Sequence, residues 1–210
     1  AYMNDPDLIN NKVQLVEAME KSGPIIDEIF KEYEELTGRK YERIYKYKTD
    51  DADIIVFLTG SVVPTMTEAT DKFREKGIKV GIAGLTSIRP FPVDQIRETF
   101  KNAKVIVSLD RQDTYSSLGG NMSLELKAAL KDYDIDAKVI SRIYGIGGIE
   151  TTLENATEII QLGVDYIEGK EVEIMGMFGA DARPEGKVLE GIKPLTLEEQ
   201  TSDIACEMGG

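Results

Sequence analysis

The sequence contains no histidine and no tryptophan, and its only cysteine is Cys206. Without histidine the chain lacks the side chain that most often serves as a general base, as a metal ligand or as the partner of a catalytic serine or cysteine. A single cysteine forms no disulfide within the chain, and it cannot by itself hold an iron–sulfur cluster or a structural zinc ion. The composition therefore indicates an intracellular, cytoplasmic chain without a histidine-based or cysteine-based catalytic site.

Basic residues are also scarce. The 210 residues include 25 Lys and Arg against 38 Asp and Glu, which gives a net charge of −13. The electric field of such a negative net charge repels the phosphate backbone of nucleic acids and anionic membrane surfaces. Long hydrophobic runs are absent as well. No run of apolar residues approaches the length of about 20 that a membrane span needs. We therefore expect neither a nucleic-acid partner nor a membrane partner.

The first quarter of the chain has the periodicity of a long helix. Gly23-Pro24 is expected to kink this helix or to split it in two, and Gly38 to end it as a left-handed cap. Residues 39–52 have the composition of a charged connector. The apolar stripe recurs at spacings of three, four and seven, which is the pattern of one helix face, at Leu15, Met19, Ile26, Ile29, Tyr33 and Leu36.

From residue 53 onward, short apolar runs alternate with helical patterns. The runs at residues 54–58, 78–83, 105–109 and 138–140 are typical of strands buried on both faces. Strand and helix alternate four times, which predicts a parallel sheet with helices on both faces. Thr151 and Glu154 have the spacing of a capping box at the start of the last helix.

Three glycine-containing loops are expected at the carboxyl edge of this sheet, where open parallel sheets bind their ligands. Their backbone N–H groups could hold an anion, although neither the dinucleotide fingerprint nor the P-loop spacing is present. The alternative is that each glycine only allows a tight turn. The candidate positions are Gly60, Ser61, Gly119, Gly120, Gly145, Gly147 and Gly148.

Four charged residues near these loops are candidates for contacts with a neighbouring domain or subunit. They are Arg89, Asp110, Arg111 and Arg142. For Asp110 and Arg111 the alternative is an internal ion pair, and for Arg89 it is a solvated charge on a proline-stiffened turn. No pair of carboxylates stands out for acid–base chemistry, so we name no catalytic residue and no metal ligand.

The order of these loops resembles a known family. RPFP at residues 89–92, LDR at 109–111 and YGIGG at 144–148 follow one another as in the second domain of the alpha subunit of pyruvate:ferredoxin oxidoreductases and related 2-oxoacid oxidoreductases. The segment EAMEKSGPIIDEIFKEYEELTGRKY is similar to the helical connector that precedes this domain in the family. The resemblance covers roughly residues 12–165.

The resemblance implies a fold like the C-terminal domain of transketolase, with three α/β/α layers and a mostly parallel sheet of five strands. Four strands are clear. The fifth is expected from residues 40–48 or from the arm after residue 164, and an antiparallel orientation is open to it. The implied organisation is a helical connector at residues 1–50, the α/β domain at 51–167 and an extended acidic arm or linker at 168–210.

The resemblance also implies an activity for the assembled oxidoreductase. Such complexes cleave the carboxylate from a 2-oxoacid, pyruvate by default, on thiamine diphosphate with Mg²⁺. Electrons pass through [4Fe–4S] clusters to ferredoxin, and the acyl group passes to coenzyme A. The sequence lacks the glycine–aspartate–glycine diphosphate motif and the cluster cysteines, so no cofactor is assigned to it.

We therefore expect this chain alone to be inactive and to have an assembly role beside other domains or subunits, with ferredoxin an indirect partner. One alternative is the matching domain of an oxidoreductase or dehydrogenase for 2-oxoglutarate, a branched-chain oxoacid or oxalate, or of a transketolase. Another is a stand-alone α/β module that binds an anion or nucleotide.

Overall fold

The computed structural model describes residues 6–179, and this part of the chain holds five α-helices and six strands. Cys206 and residues 180–210 of the expected arm lie outside the described residues. The helices are α1 (Asp7–Thr37), α2 (Val63–Glu75), α3 (Val93–Phe100), α4 (Asn121–Asp132) and α5 (Leu153–Ile167). The strands are β1 (Ile44–Tyr47), β2 (Ile54–Leu58), β3 (Val80–Leu85), β4 (Val105–Asp110), β5 (Lys138–Ile143) and β6 (Met175–Met177).

All six strands form one sheet in the order β1-β3-β2-β4-β5-β6. Strands β2 to β6 are parallel to one another, and β1 runs antiparallel to β3. The mostly parallel α/β sheet is thus confirmed, with six strands instead of the expected five. Both segments that were candidates for the fifth strand contribute one, because each lies along an open edge of the four central strands. β1 covers one edge and β6 the other.

Two helices cover each face of the sheet, which gives the three expected layers. The side chains of β2 point alternately to the two faces. Ile54, Val56 and Leu58 pack with α2 and α5, whereas Ile55 and Phe57 pack with α3 and α4. All five side chains are buried. A strand that is apolar at every position therefore has a hydrophobic partner layer on both sides.

Helix α1 runs without interruption through Pro24, so the helix is not split in two, and the kink stays a prediction. The buried Gly23 packs near Pro90, and Asp27 accepts two 3.0 Å hydrogen bonds from Arg43. These contacts hold the helix on both sides of the proline. The left-handed cap at Gly38 is confirmed, with φ 70° and its N–H donating to Glu34 at 2.7 Å.

The apolar stripe of α1 is largely solvent-exposed. Leu15 and Ile29 are each 54% exposed and Leu36 is 84% exposed, whereas Gly23 is the only buried residue of this helix. A regular apolar stripe on a helix ordinarily packs against another element. Among residues 6–179, no helix is both long and apolar enough to cross a membrane, α1 included.

The capping box of α5 lies one residue later than the sequence suggested. Thr152 Oγ1 accepts a 3.2 Å hydrogen bond from the N–H of Asn155, and Asn155 Oδ1 accepts one of 3.1 Å from the N–H of Thr152. Thr152 has an extended backbone (φ −77°, ψ 170°), and the helix begins at the next residue. The prediction of a Thr151–Glu154 box is therefore wrong, because Asn155 occupies the third helical position.

Thr152→Ala is expected to lower the free energy of unfolding by about 1 kcal/mol, since it removes the acceptor for a terminal N–H group. The matched control Thr151→Ala should change it by less than about 0.5 kcal/mol, because that side chain does not cap the helix. Urea denaturation followed by circular dichroism measures both variants. Equal losses for the two variants would contradict the observed cap.

Candidate functional site

The strand order reverses beside β2. The chain passes from β2 to β3 on one side and then returns to β4 on the other side of β2. The helices that follow β2 and β4 therefore leave the sheet on opposite faces, which opens a crevice at the carboxyl ends of these strands. A cleft of about 430 Å³ lies there, and we call it the switch-point cleft. Its polar lining comes from Ser61, Thr65, Arg111, Tyr144, Glu150 and Thr151.

Arg111 is the only cation in the lining of this cleft. Its Nη2 donates a 3.2 Å hydrogen bond to the carbonyl oxygen of Gly145, and its guanidinium carbon lies 5.9 Å from the ring centre of Tyr144. Arg111 also borders a second cleft of about 310 Å³, which Arg89 lines as well. The guanidinium thus stands between two openings at the same edge of the sheet.

Asp110 lies beside Arg111 in sequence but has a different role. Its buried carboxylate accepts hydrogen bonds from the backbone N–H groups of Met122 (2.8 Å) and Ser123 (3.2 Å), and from the Ser123 hydroxyl (2.6 Å). These are the free donors at the start of α4. Among the described residues no ion pair joins Asp110 to Arg111, so the alternative of an internal pair between these two side chains is not supported. A direct contact of Asp110 with another subunit stays a prediction.

Gly119 and Gly120 serve this internal contact. A Cβ atom on Gly120 would lie 2.2 Å from both Cβ and Cγ of Asp110, and one on Gly119 would lie 2.7 Å from Ser141 Oγ. The anion at this helix terminus is therefore the carboxylate of the chain itself. An external anion at the Gly119-Gly120 loop would have to displace it.

The other glycines have the backbone conformation that favours glycine. Gly60 has φ 83°, and Gly145, Gly147 and Gly148 have φ 62°, 70° and 84°. Left-handed residues of this kind form tight turns. A role of these glycines in anion binding stays a prediction.

The remaining two arginines make their strongest contacts within the chain. Arg89 forms a bidentate ion pair with Glu125 of α4, at 2.7 and 2.5 Å. Arg142 is only 6% exposed, lies within β5 and not in a loop, and donates to the carbonyl oxygens of Ser141 and Glu173, each at 2.8 Å. Burial lowers the pKa of Arg142 below its ordinary value, although nearby Glu173 opposes this change. Arg142 therefore fixes the segment before β6, and interface roles for both arginines stay predictions.

Sequence reasoning missed Tyr144, which is 3% exposed and lines the switch-point cleft. Within residues 6–179 its hydroxyl has no hydrogen-bond partner. Burial raises the pKa of this phenol, with Asp110 adding to the effect and Arg111 opposing it. A phenol is protonated at neutral pH even at its ordinary pKa, so the hydroxyl can donate a hydrogen bond. Its position directly after a buried strand was the signal that could have found it.

A second missed feature is a buried serine cluster beneath the loops. Ser123 Oγ lies 2.8 Å from Ser108 Oγ and 2.9 Å from Ser141 Oγ. Ser108 and Ser141 are small polar residues inside strands that are buried at nearly every position, and this was the available sequence signal. The cluster links β4, β5 and α4 behind Asp110.

The described residues do not fit a Mg²⁺–diphosphate site or an iron–sulfur cluster. No group of three or more His, Cys, Asp and Glu side chains comes together within residues 6–179. Carboxylates hold Mg²⁺ in proteins, and thiolates hold iron–sulfur clusters. We therefore derive no chemical step through these groups from this part of the chain.

Comparisons with curated proteins identify relatives that are longer than this chain. Pyruvate synthase subunit PorA of Pyrococcus furiosus is 41% identical over 157 residues, which are 75% of this chain and 39% of that protein. Ketoisovalerate oxidoreductase subunit VorA of Pyrococcus abyssi is 33% identical over 176 residues, 82% of this chain and 44% of that protein. The chain thus spans about two fifths of the length of the relatives it matches.

Among solved structures, the 2-oxoglutarate:ferredoxin oxidoreductase from Magnetococcus marinus is 17% identical, with a TM-score of 0.45 over 59% of this chain and 20% of that one. The model of the family "Pyruvate:ferredoxin oxidoreductase core domain II" matches residues 52–156, half of the sequence. The chain therefore belongs to the pyruvate:ferredoxin oxidoreductase core domain II family.

Proposed function

We propose that this chain is the second-domain part of the alpha-type subunit of a 2-oxoacid:ferredoxin oxidoreductase, and that its role there is assembly and positioning. The observation that carries the proposal is the 41% identity to a pyruvate synthase subunit, together with the family match over residues 52–156. The complete enzyme converts a 2-oxoacid and coenzyme A to acyl-CoA and CO₂, and two electrons reduce ferredoxin.

The content of the sequence supports an indirect role in that reaction. Thiamine diphosphate supplies the carbanion chemistry and [4Fe–4S] clusters carry the electrons in such an enzyme. A cluster of this kind takes four cysteine thiolates, and the sequence has one cysteine. We assign the cofactors to other domains or subunits, so this chain contributes the relative placement of its neighbours.

Exposed cations at the carboxyl edge support an assembly role. Arg89 and Arg111 both line the second cleft, at the edge where parallel sheets present their loops. The guanidinium of Arg89 is already paired with Glu125, so Arg111 is the cation of this cleft that has donors available for a partner. Arginine is enriched at protein interfaces because its planar fork binds carboxylates in two places. We propose that this edge, within a domain of residues 51–167, faces a neighbouring domain or subunit in a cytoplasmic complex.

Pyruvate is the proposed 2-oxoacid. Relatives named as pyruvate synthase subunits in Pyrococcus furiosus and Methanothermobacter thermautotrophicus are 41% and 34% identical to the chain. A branched-chain substrate is the second candidate, because a ketoisovalerate oxidoreductase subunit is 33% identical over a longer stretch.

Purified alone, the chain is expected to show no reduction of ferredoxin or viologen dye with pyruvate, coenzyme A, thiamine diphosphate and Mg²⁺. Activity is expected when the remaining parts of the oxidoreductase are co-expressed with it, and lost when this segment is left out. Anaerobic dye-reduction assays measure both conditions, and the remaining parts alone serve as the control. Turnover by the isolated chain, or full activity of the complex without it, would overturn the proposal.

A further inference from the structure

We propose that the switch-point cleft binds a phosphate group of a small molecule. This inference goes beyond the proposed function and does not depend on it, because it concerns hydrogen-bond donors of this chain alone. The cleft volume of about 430 Å³ lies within the range of small-molecule sites.

The first support is a phenol at the wall of the cleft. Tyr144 is 3% exposed and borders the cleft, and its hydroxyl makes no hydrogen bond with another residue of the range 6–179. The hydroxyl is not itself sealed from solvent, because Thr70 Oγ1 is the one fully buried side-chain atom without a partner among these residues. A phenol is protonated at neutral pH. A ligand in the cleft can therefore accept a hydrogen bond from it.

The second support is a set of further donors that are free in the same cleft. The side-chain hydroxyls of Ser61, Thr65 and Thr151 line it, and none of them makes a hydrogen bond with another described residue. Together with Tyr144 they provide four hydroxyl donors. Ser61 lies in the loop after β2 and Thr65 in the first turn of α2, whereas Tyr144 and Thr151 lie between β5 and α5. The fold thus collects the four hydroxyls from separate parts of the chain.

The third support is the guanidinium of Arg111, which sets the charge of the ligand. One of its donors is directed to Gly145 at 3.2 Å, and this bond positions the group while its other N–H donors stay available. A guanidinium binds phosphate and carboxylate oxygens with charge-assisted hydrogen bonds. The ligand is therefore an oxyanion.

The number of donors favours phosphate over carboxylate. A carboxylate has two oxygens, whereas a phosphate ester has three acceptor oxygens and more negative charge. Four hydroxyls and one guanidinium exceed what one carboxylate binds well. Glu150 opposes any anion because it also lines the cleft, but its side chain is exposed at the rim, where water screens its charge.

Isothermal titration of the 210-residue chain with inorganic pyrophosphate and phosphate tests the proposal. We expect saturable one-to-one binding of pyrophosphate, weakened about 10-fold by Arg111→Gln and about 3-fold by Tyr144→Phe. Glu150→Gln is expected to strengthen binding about 2-fold, because it removes a repelling charge. Malonate, a dicarboxylate probe, is expected to bind at least about 5-fold more weakly than pyrophosphate.

Matched controls separate the cleft from general effects. Arg97→Gln removes the same charge on α3, and Tyr115→Phe removes a hydroxyl from a side chain that is 91% exposed. Both are expected to leave the affinity unchanged. If Arg111→Gln lowers the unfolding midpoint, Tyr144→Phe carries the test, since it removes a single oxygen atom. No saturable binding up to about 10 mM, equal losses in the control variants, or preference for malonate would each overturn the inference. None of these outcomes bears on assembly or dye reduction.

Discussion

Replacing Asp110 by alanine is expected to lower the free energy of unfolding by about 3 kcal/mol. The buried carboxylate accepts hydrogen bonds from two backbone N–H groups at the start of α4 and from the Ser123 hydroxyl. Its removal leaves the two backbone N–H groups without a partner in a region that water does not reach freely, whereas the Ser123 hydroxyl keeps Ser108 and Ser141 as neighbours. Chemical denaturation monitored by circular dichroism measures the loss.

Two further variants identify the cause of this loss. Asp113→Ala removes a carboxylate three residues away that accepts an exposed hydrogen bond from the N–H of Tyr115 at 3.1 Å. Its effect should stay below about 0.5 kcal/mol. Asp110→Asn keeps an acceptor oxygen and should fall between the two. If Asp110→Ala behaves like Asp113→Ala, the carboxylate does not stabilise α4 as described.

Gly81→Ala is expected to cost about 3 kcal/mol of unfolding free energy through overpacking. A Cβ atom at this position of β3 would lie 2.5 Å from the carbonyl oxygen of Lys48. That carbonyl cannot move cheaply, because Arg74 Nη2 donates to it at 2.6 Å and Lys48 itself has a left-handed backbone with φ 53°. Thermal and urea denaturation measure the change.

Gly84 in the same strand provides the comparison. Its added Cβ would lie 3.1 Å from the carbonyl oxygen of Leu58, a contact that is tight but needs a smaller shift. Gly84→Ala is expected to cost about 1 kcal/mol. A larger loss for Gly84→Ala than for Gly81→Ala would show that the turn after β1 yields more easily than its hydrogen bonds indicate.

The central part of the fold could be predicted because its strands are apolar at nearly every position. Residues 54–58 must be covered on both faces, and such a run is compatible with few structures other than a buried parallel strand. The edge strands gave weaker signals. β1 is half polar and β6 has three residues, and each is recognisable only from the strand beside it.

The site was harder to predict because the role of each of its residues depends on contacts with atoms that are distant in sequence. Asp110 and Arg111 are adjacent charges of opposite sign, which suggests an ion pair. Their side chains leave β4 in different directions, so one caps α4 and the other lies beside the loop after β5. The same limit applies to α5, where the choice between Thr151 and Thr152 as cap is set by the backbone conformation of one residue.

The long first helix has a practical consequence for handling this polypeptide. Large apolar side chains from Leu8 to Leu36 face solvent along it. At high protein concentration such a surface favours aggregation of the protein, and it also binds hydrophobic dyes. A truncated chain that begins at Gly23 would lack Leu8, Leu15 and Met19 but would retain the ion pair between Asp27 and Arg43. We therefore expect it to aggregate less at the concentrations that spectroscopy needs.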